Sequence, residues 1–206
     1  SVLEEIRHEL RAASSSSARR AMFFMSELLA LTDLFRSNGI ALASFKGPAL
    51  AHEAYGNLAL RQCGDDIDVL IPIEQVSRAK SLLLEGGFEQ FFPSGSAAEW
   101  RFLLAMDEPA ESRYLDKNCE YHFVRRRDGL NVDLHWRINP PEMAMPFDEA
   151  ALFSRLTMIN FAGKQIGRVH PADHLLILAF NGAKDCWKRL DRIVDNQKVA
   201  AAAGQR

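Results

Sequence analysis

The sequence predicts an α+β fold in which a mixed β-sheet is flanked by helices, with an N-terminal helix and a C-terminal helical segment. Three observations support this: apolar residues recur at helical spacing near both ends, strand and helix patterns alternate in the middle, and Asp128-Gly129 joins two alternating segments as a hairpin turn. We therefore expect an N-terminal helical segment at residues 1–38, an α/β core at residues 39–140 and a mostly helical C-terminal segment at residues 141–206.

The remaining elements follow from apolar spacing and from turn residues. The N-terminal helix is predicted to end at Asn38-Gly39, and the serines at positions 14–17 predict a break within it. Further along we predict, in order, strands at Ile40–Phe45 and Ile67–Ile73, a helix at Glu74–Glu85, a strand at Phe88–Phe92, an insertion at residues 93–117 with a helix around Trp100–Met106, a helix at Phe147–Leu156, a hairpin at Thr157–Val169, and helices from Pro171 and Cys186.

The composition is that of an ordinary globular protein with one substantial core. Hydrophobic residues make up 48% of the 206-residue chain and charged residues 25%. The formal net charge of −2 creates no overall positive field, so a nucleic acid would have to meet a local patch such as Arg125–Arg127.

The cysteines and the hydropathy pattern predict a cytoplasmic protein. Cys63, Cys119 and Cys186 are too far apart for a zinc motif or a disulfide framework, so we expect free thiols in a reducing compartment. The chain lacks an apolar run of about 18 residues and a signal-peptide pattern, which predicts neither a membrane span nor export. Because it lacks an initiator Met and stops within a predicted helix, we expect a fragment whose missing C-terminal part could complete the site.

Asp66 and Asp68 interrupt an apolar strand and form the clearest chemical signal in the sequence. Alternate residues of a strand leave the same face about 6.6 Å apart, so the two carboxylates can converge on one cation. Their mutual repulsion, about 3 kcal/mol at an effective dielectric constant near 20, favours a counter-charge such as Mg²⁺. Alternatively, Gly64-Asp65-Asp66 is good turn chemistry whose carboxylates simply face solvent.

The predicted hairpin supplies a third carboxylate. If Asp128-Gly129 is a two-residue turn, Val124 pairs with Asp133 and His122 pairs with His135, with the polar side chains on one face. Asp133 is then the candidate third acidic ligand. His135 could orient a carboxylate or contact a phosphate, or it could be a hydrogen-bonded structural histidine. A zinc site with His122 lacks a third indicated ligand.

Three residues near predicted strand ends are candidates for binding phosphates. Pro48 suits the first turn of a helix, and Gly47 lets the backbone approach a ligand where the free N–H groups of that turn favour phosphate. Lys46 adds a point charge, and Arg61 adds a planar group that can bind two oxygens. Each cation alone is also compatible with an ordinary solvated surface position.

Several of these motifs occur together in one known family. They are Phe45–Leu50, Tyr55-Gly56, Arg61, Gly64–Ile71 and Val132–Trp136. In this combination, and over most of residues 20–200, the chain resembles the uncharacterised nucleotidyltransferase family of the DNA polymerase β-like superfamily. The resemblance implies a nucleotidyltransferase-type sheet on which Asp66, Asp68 and Asp133 hold two Mg²⁺ ions, with Gly47 in the phosphate-binding turn.

The residues and the resemblance together predict Mg²⁺-dependent transfer of an NMP from an NTP, such as ATP, to an acceptor hydroxyl. Asp66 and Asp68 would bridge the ions, and Asp133 would also take the acceptor's proton. Lys46, Arg61, Gly47 and His135 would bind the nucleotide and its phosphates. The acidic charge balance favours a small-molecule or protein acceptor over RNA. Two alternatives stay open: a catalytically degenerate nucleotide-binding or interaction module, and a toxin-like tRNA nucleotidyltransferase.

Overall fold

A computed structural model describes residues 2–61, 63–92, 107–143, 145 and 147–204. Within these ranges the chain forms a seven-stranded mixed sheet and seven α-helices. The helices are α1 (Val2–Ser37), α2 (Gly47–Tyr55), α3 (Val76–Glu85), α4 (Glu108–Lys117), α5 (Glu149–Ser154), α6 (Pro171–Lys184) and α7 (Leu190–Gly204). The strands are β1 (Ala43–Ser44), β2 (Asp66–Leu70), β3 (Phe88–Phe91), β4 (Glu120–Arg125), β5 (Leu130–His135), β6 (Thr157–Phe161) and β7 (Lys164–Arg168).

The strand order in the sheet is β3-β4-β5-β2-β1-β7-β6. The pairs β2–β5 and β1–β7 are parallel, and the other neighbours are antiparallel. The predicted mixed sheet flanked by helices is therefore confirmed. Two of its strands, β6 and β7, come from the C-terminal part of the chain that the sequence presents as mostly helical.

The two faces of the sheet are covered by different parts of the chain. Ile67 and Val69 point to the face that packs against α1 and α3, in one continuous apolar core. Leu70 points to the opposite face, where Phe45 and Ile177 form a smaller core. Asp66 and Asp68 share the second face because side chains alternate along β2, so the smaller core lies beside the two carboxylates.

Helix α1 is continuous, so the predicted break at serines 14–17 is wrong. Serine lowers helix stability by only a few tenths of a kcal/mol, and the surrounding alanines and arginines are good helix formers. The first half of α1, through Arg20, lies largely exposed. The second half buries a stripe at helical spacing, formed by Ala21, Phe24, Leu28, Leu31 and Phe35.

Two predicted elements differ in extent from the observed ones. The strand predicted at Ile40–Phe45 is reduced to two paired residues, because only Ala43 and Ser44 lie between partners on both sides. Helix α4 lies within the predicted insertion at 93–117, where Asp107 caps it through a 2.9 Å bond from the Ala110 N–H. The predicted helix around Trp100–Met106 lies outside the described residues.

The β4–β5 hairpin is confirmed, but its predicted register is wrong by two residues. His122 pairs with Asp133 and Glu120 pairs with His135, because the connection has four residues rather than two. The Gly129 N–H donates to the Arg125 carbonyl at 2.8 Å, and Gly129 has a φ of 71°, which closes a longer turn. A shift of two leaves every side chain on its predicted face.

The C-terminal elements complete one wall beside the second face of the sheet. Helices α6 and α7 pack on each other and on α2 through Leu50, Leu178 and Val199. His174, within α6, is buried and hydrogen-bonds the Phe45 carbonyl at 2.7 Å, which ties α6 to the end of β1. None of the helices in the described ranges combines the length and apolar composition needed to cross a lipid bilayer.

Candidate active site

A cleft of about 480 Å³ opens where β2 and β5 meet the start of α2 and the corner between α6 and α7. Its walls are strongly polar. All seven site residues predicted from the sequence line it: Lys46, Gly47, Arg61, Asp66, Asp68, Asp133 and His135. The structure therefore brings together residues as far apart in the chain as Lys46 and His135.

The three carboxylates stand side by side because two neighbouring strands run parallel. Asp68 of β2 is in register with Asp133 of β5, and Asp66 precedes Asp68 on the same face. Asp68 is 6% exposed, whereas Asp66 is half-buried. Burial and the neighbouring carboxylates of Asp68 and Asp133 raise the pKa of Asp66 to about 6. The site thus holds more negative charge than its own residues neutralise.

Lys46 neutralises one of these carboxylates. Its Nζ lies 2.5 Å from Asp68 Oδ1 at the point where β1 gives way to α2. Burial opposes a charge on this lysine, but the nearby Asp68 carboxylate outweighs that effect and raises the pKa of Lys46. Lys46 is therefore a cation fixed against the acidic strand.

Gly47 begins α2 and has a φ of 60°, in the left-handed region that favours glycine. Pro48 follows in the first helical turn, where its missing N–H removes no helical hydrogen bond. This turn aims the N-terminus of α2 at the cleft beside Lys46. The predicted strand-to-helix turn is thus present, and its role toward a phosphate stays a prediction.

His135 is held between two carboxylates. Its Nε2 lies 3.1 Å from Asp68 Oδ1 and 2.9 Å from Glu120 Oε2, and the residue is 4% exposed. Burial disfavours the imidazolium, but the hydrogen bond to Asp68 outweighs it and raises the pKa of His135 well above its usual value. His135 therefore contacts a site carboxylate through Nε2, and its role toward a phosphate stays a prediction.

A second histidine, His122, orients the third carboxylate. His122 Nδ1 lies 2.8 Å from Asp133 Oδ1, directly across the β4–β5 ladder. Burial opposes protonation, but the Asp133 hydrogen bond raises the pKa of His122. Glu120 sits beside both histidines, and they outweigh burial and lower the pKa of Glu120 to about 2. The sequence placed His122 on the polar face of the hairpin but linked neither His122 nor Glu120 to the three carboxylates.

Arg61 lines the cleft, but one edge of its guanidinium is already occupied. Its Nε donates to Asp195 Oδ1 and its Nη2 donates to Asp195 Oδ2, both at 2.9 Å. Asp195 lies on α7. Asp195 is fully buried and also accepts a 2.8 Å hydrogen bond from Tyr55. Asp195 was missed from sequence because it lies 134 positions away from Arg61 with no local motif.

The acidic residues fit a divalent metal ion. Asp68, Asp133 and His135 each offer a ligand atom within 4.8 Å of the others, as do Glu120, His122 and Asp133. Carboxylate oxygens are the ligands that Mg²⁺ prefers. Among the described residues Asp66 forms no ion pair, and burial and the Asp68 and Asp133 carboxylates raise its pKa although Lys46 lies nearby.

The cleft is also lined by hydrogen-bond donors that sequence reasoning did not assign. Asn181 and Lys184 come from the end of α6, Arg189 directly precedes α7, and Arg192 comes from its first turn. No spacing rule connects these residues to the acidic strands. Only the packing of α6 and α7 against α2 places them at the cleft.

Comparison with known proteins agrees with this architecture. Residues 1–205 match the profile of a family described as an uncharacterised nucleotidyltransferase. The fold is similar to the crystal structure of LnuA, a lincosamide antibiotic adenylyltransferase bound to lincomycin, with a TM-score of 0.55, 13% identity, and coverage of 86% of this chain and 96% of that one.

A second similar structure is ANT(2'')-Ia in complex with adenylyl-2''-tobramycin, with a TM-score of 0.55, 10% identity, and coverage of 86% of this chain and 88% of that one. At these identities the structural similarity shows the fold alone. No curated protein shows significant similarity to the sequence.

Proposed function

The chain belongs to the uncharacterised nucleotidyltransferase family, and we propose that it transfers a nucleoside monophosphate from an NTP to a hydroxyl group of a small-molecule or protein acceptor, with Mg²⁺ bound at the three carboxylates. The observation that carries this proposal is the placement of Asp66, Asp68 and Asp133 on adjacent parallel strands, on one face and in one cleft with the Gly47 turn. Three converging carboxylates beside a helix N-terminus suit a nucleotide held through metal ions and backbone N–H groups.

The reaction forms a bond between the acceptor oxygen and the α-phosphorus. The bond from that phosphorus to the bridging oxygen breaks, and pyrophosphate leaves with the electron pair. Two Mg²⁺ ions, when bound, would stabilise the charges on the attacking and leaving oxygens. Asp66 and Asp68 would hold both ions and Asp133 the one beside the acceptor, while Lys46 and the N-terminus of α2 would contact the phosphates.

The acceptor proton goes to Asp133 in this proposal. His122 fixes one oxygen of Asp133 at 2.8 Å, so the carboxylate has a defined orientation toward the cleft. His135 does the same for Asp68 from the buried side. These two histidines act on the carboxylates rather than on the substrate, which is the role of positioning residues.

A small-molecule acceptor is supported by the proteins of similar fold. LnuA is described with lincomycin bound, and ANT(2'')-Ia with an adenylylated tobramycin. The net charge of −2 and the acidic cleft also disfavour a polyanionic acceptor such as RNA.

Free thiols at Cys63, Cys119 and Cys186 support a reducing compartment such as the cytoplasm.

The proposal is tested by thermal unfolding with each NTP, with and without Mg²⁺. A ligand at 100 times its dissociation constant adds about 2.7 kcal/mol to the free energy of unfolding, so binding gives a clear shift in Tm. We expect an Mg²⁺-dependent shift for the wild type that Asp66→Asn and Asp68→Asn abolish. Asp116→Asn, at an exposed aspartate of α4 outside the cleft, is the matched control.

If no NTP stabilises the wild type, the proposed catalytic activity loses its support. The alternative of a catalytically degenerate interaction module then replaces it. If NTPs stabilise the wild type and both site variants equally, nucleotide binds elsewhere. Radiolabelled NTP with a panel of hydroxylated small molecules and proteins, and with tRNA, then identifies the acceptor class.

A further inference from the structure

Cys119 directly precedes β4 and lines the cleft, although it is not one of the three carboxylates proposed for Mg²⁺. It is a free cysteine with only 7% of its surface exposed. Neighbouring residues of a strand point to opposite faces, yet Cys119 and Glu120 both line the same cleft. The backbone must therefore depart from regular strand geometry at this point.

The pairing of Cys119 with the end of β5 accounts for this departure. The Cys119 carbonyl accepts hydrogen bonds from the Trp136 N–H at 2.9 Å and from the Arg137 N–H at 3.2 Å. Two residues that follow β5 thus face one residue that precedes β4, which is the pattern of a β-bulge and redirects a side chain. Because both bonds hold the Cys119 backbone, its thiol has a defined place in the cleft wall.

The thiol belongs to a compact group of three potential metal ligands. Cys119, Glu120 and His135 each offer one ligand atom, and the three atoms lie within 4.8 Å of one another. Glu120 and His135 are direct partners across the β4–β5 ladder, so the sheet itself fixes two of the three. Cysteine sulfur, histidine nitrogen and carboxylate oxygen are the ligand types that Zn²⁺ takes in proteins.

His135 has a second ring nitrogen whose partner is not a side chain of the described residues. Its Nε2 contacts Asp68 and Glu120, whereas its Nδ1 has no hydrogen-bond partner within those residues. His135 is 4% exposed, and a polar atom left unpaired at this depth has lost its water without replacement. Such an atom indicates a partner from outside the chain, and an imidazole nitrogen is a common metal ligand.

We propose that Cys119, Glu120 and His135 form a second metal site, for a thiolate-binding divalent ion such as Zn²⁺, beside the carboxylates that suit Mg²⁺. The inference does not rest on the proposed function, since Cys119 and Glu120 have no part in the transfer reaction. A thiolate favours soft ions whereas oxygen ligands suit Mg²⁺, so the two sites differ in the metal that they take. The thiol releases its proton to solvent when the ion binds, and thiolate and carboxylate then balance the charge of the ion.

The site escapes cysteine spacing because only one of its ligands is a cysteine. Cys119 and Glu120 are adjacent in the chain, and His135 comes from the neighbouring strand. Structural zinc sites have four protein ligands, whereas three protein ligands leave a fourth position for an exchangeable group. Here that position opens to the cleft, so we expect a chelator to remove the ion from the folded protein.

The test uses Co²⁺, which occupies Zn²⁺ sites and reports a thiolate ligand through an intense near-ultraviolet charge-transfer absorption. Bound metal is first removed with a chelator, and the chelator by gel filtration. Co²⁺ and then Zn²⁺ are titrated, in excess Mg²⁺ to suppress binding at the Mg²⁺ carboxylates, into the wild type, Cys119→Ser, Glu120→Gln and the control Cys186→Ser. Cys186 is exposed and lies outside the cleft. The Tm of each variant shows whether it is folded, and Glu120→Gln keeps the thiolate if Cys119→Ser unfolds.

We expect the wild type and Cys186→Ser to bind Co²⁺ with the thiolate absorption and to exchange it for Zn²⁺. Cys119→Ser should lose the absorption and bind Zn²⁺ about 100-fold more weakly, because one of three ligands is gone. Glu120→Gln should keep the absorption and bind Zn²⁺ about tenfold more weakly. A wild type without the absorption overturns the site, as does an absorption that survives in Cys119→Ser or disappears in Cys186→Ser. Unchanged Zn²⁺ affinity in Glu120→Gln also overturns it.

Discussion

Lys46 Nζ lies 2.5 Å from Asp68 Oδ1, so a side-chain cation occupies the acidic site that is proposed for metal. The Lys46 side chain is half-buried and has Asp66 and Glu120 as further acidic neighbours. Lys46 therefore balances the carboxylates of the free protein, and a divalent ion that binds Asp68 must share or replace that contact.

Replacement of Lys46 by glutamine should separate these two roles. Without the ammonium, the carboxylates hold more uncompensated charge, so the affinity for Mn²⁺ alone, measured by electron paramagnetic resonance, should rise about tenfold or more. The affinity for NTP in Mg²⁺ should fall, because the phosphates lose a cation. Arg20→Gln, which removes the exposed partner of Asp65, is the control. Weaker metal binding in Lys46→Gln would mean that Lys46 supports the metal rather than competing with it.

His135 should contribute more to stability than His122, although each contacts a site carboxylate. His135 is buried between Asp68 and Glu120, and its removal takes the contact at Nε2 away from both carboxylates. We expect His135→Ala to lower the free energy of unfolding by about 3–5 kcal/mol, as for other broken buried pairs, in urea titrations without metal. His122→Ala, at a half-buried position, should lose clearly less. Equal losses in the two variants would contradict the bridging role of His135.

Arg61 is expected to be both structural and functional, with a different edge of the guanidinium for each role. Arg61→Lys cannot reproduce the two-oxygen contact with the buried Asp195, so it should lower the free energy of unfolding by about 3 kcal/mol and weaken NTP binding. Arg7→Lys, in an exposed pair on α1, should change neither quantity. If Arg61→Lys loses stability but binds NTP normally, the guanidinium serves only the packing of α7.

His174 should make stability depend on pH. Burial, with a contribution from Arg168, lowers its pKa to about 4, while the Glu53 carboxylate 3.7 Å from Nδ1 is already paired with Arg168. The unfolded chain binds a proton near the usual pKa of 6.5, so between pH 6.5 and 4 it binds more protons than the folded chain. Stability is therefore fully present above pH 6.5 and should fall by about 3 kcal/mol as the pH drops toward 4.

Urea unfolding of the wild type and of His174→Gln at several pH values isolates this contribution. Glutamine can still donate to the Phe45 carbonyl but does not titrate. The stability difference between the two proteins should shrink as the pH falls. A constant difference would show that His174 keeps the same protonation state on unfolding.

The acidic strand could be predicted because its signal is local. Asp66 and Asp68 alternate within an apolar run, and Asp133 lies on the polar face of a hairpin whose faces repeat every two residues. The register error at Asp128-Gly129 left these faces unchanged, since the shift was two residues.

The partners of these residues were harder to predict because they are distant in sequence. Asp195 reaches Arg61 only through the packing of α7, and Asn181 lines the cleft only through the packing of α6. Helix α4 had a readable start signal in Asp107 and Pro109, which the polar composition of the following residues obscured.

The two-residue strand β1 has a consequence for how the chain can be divided. Ala43 pairs with Leu70 on one side and with Gly167 on the other. Strand β1 therefore joins the strands that carry the carboxylates to the β6–β7 hairpin in one sheet. A shortened chain that ends near residue 140 would keep Asp66, Asp68 and Asp133 but expose the backbone groups of β1 as an open edge. Unpaired edges recruit other chains, so such a fragment would self-associate, and limited proteolysis that removes the hairpin would convert a monodisperse protein into aggregates.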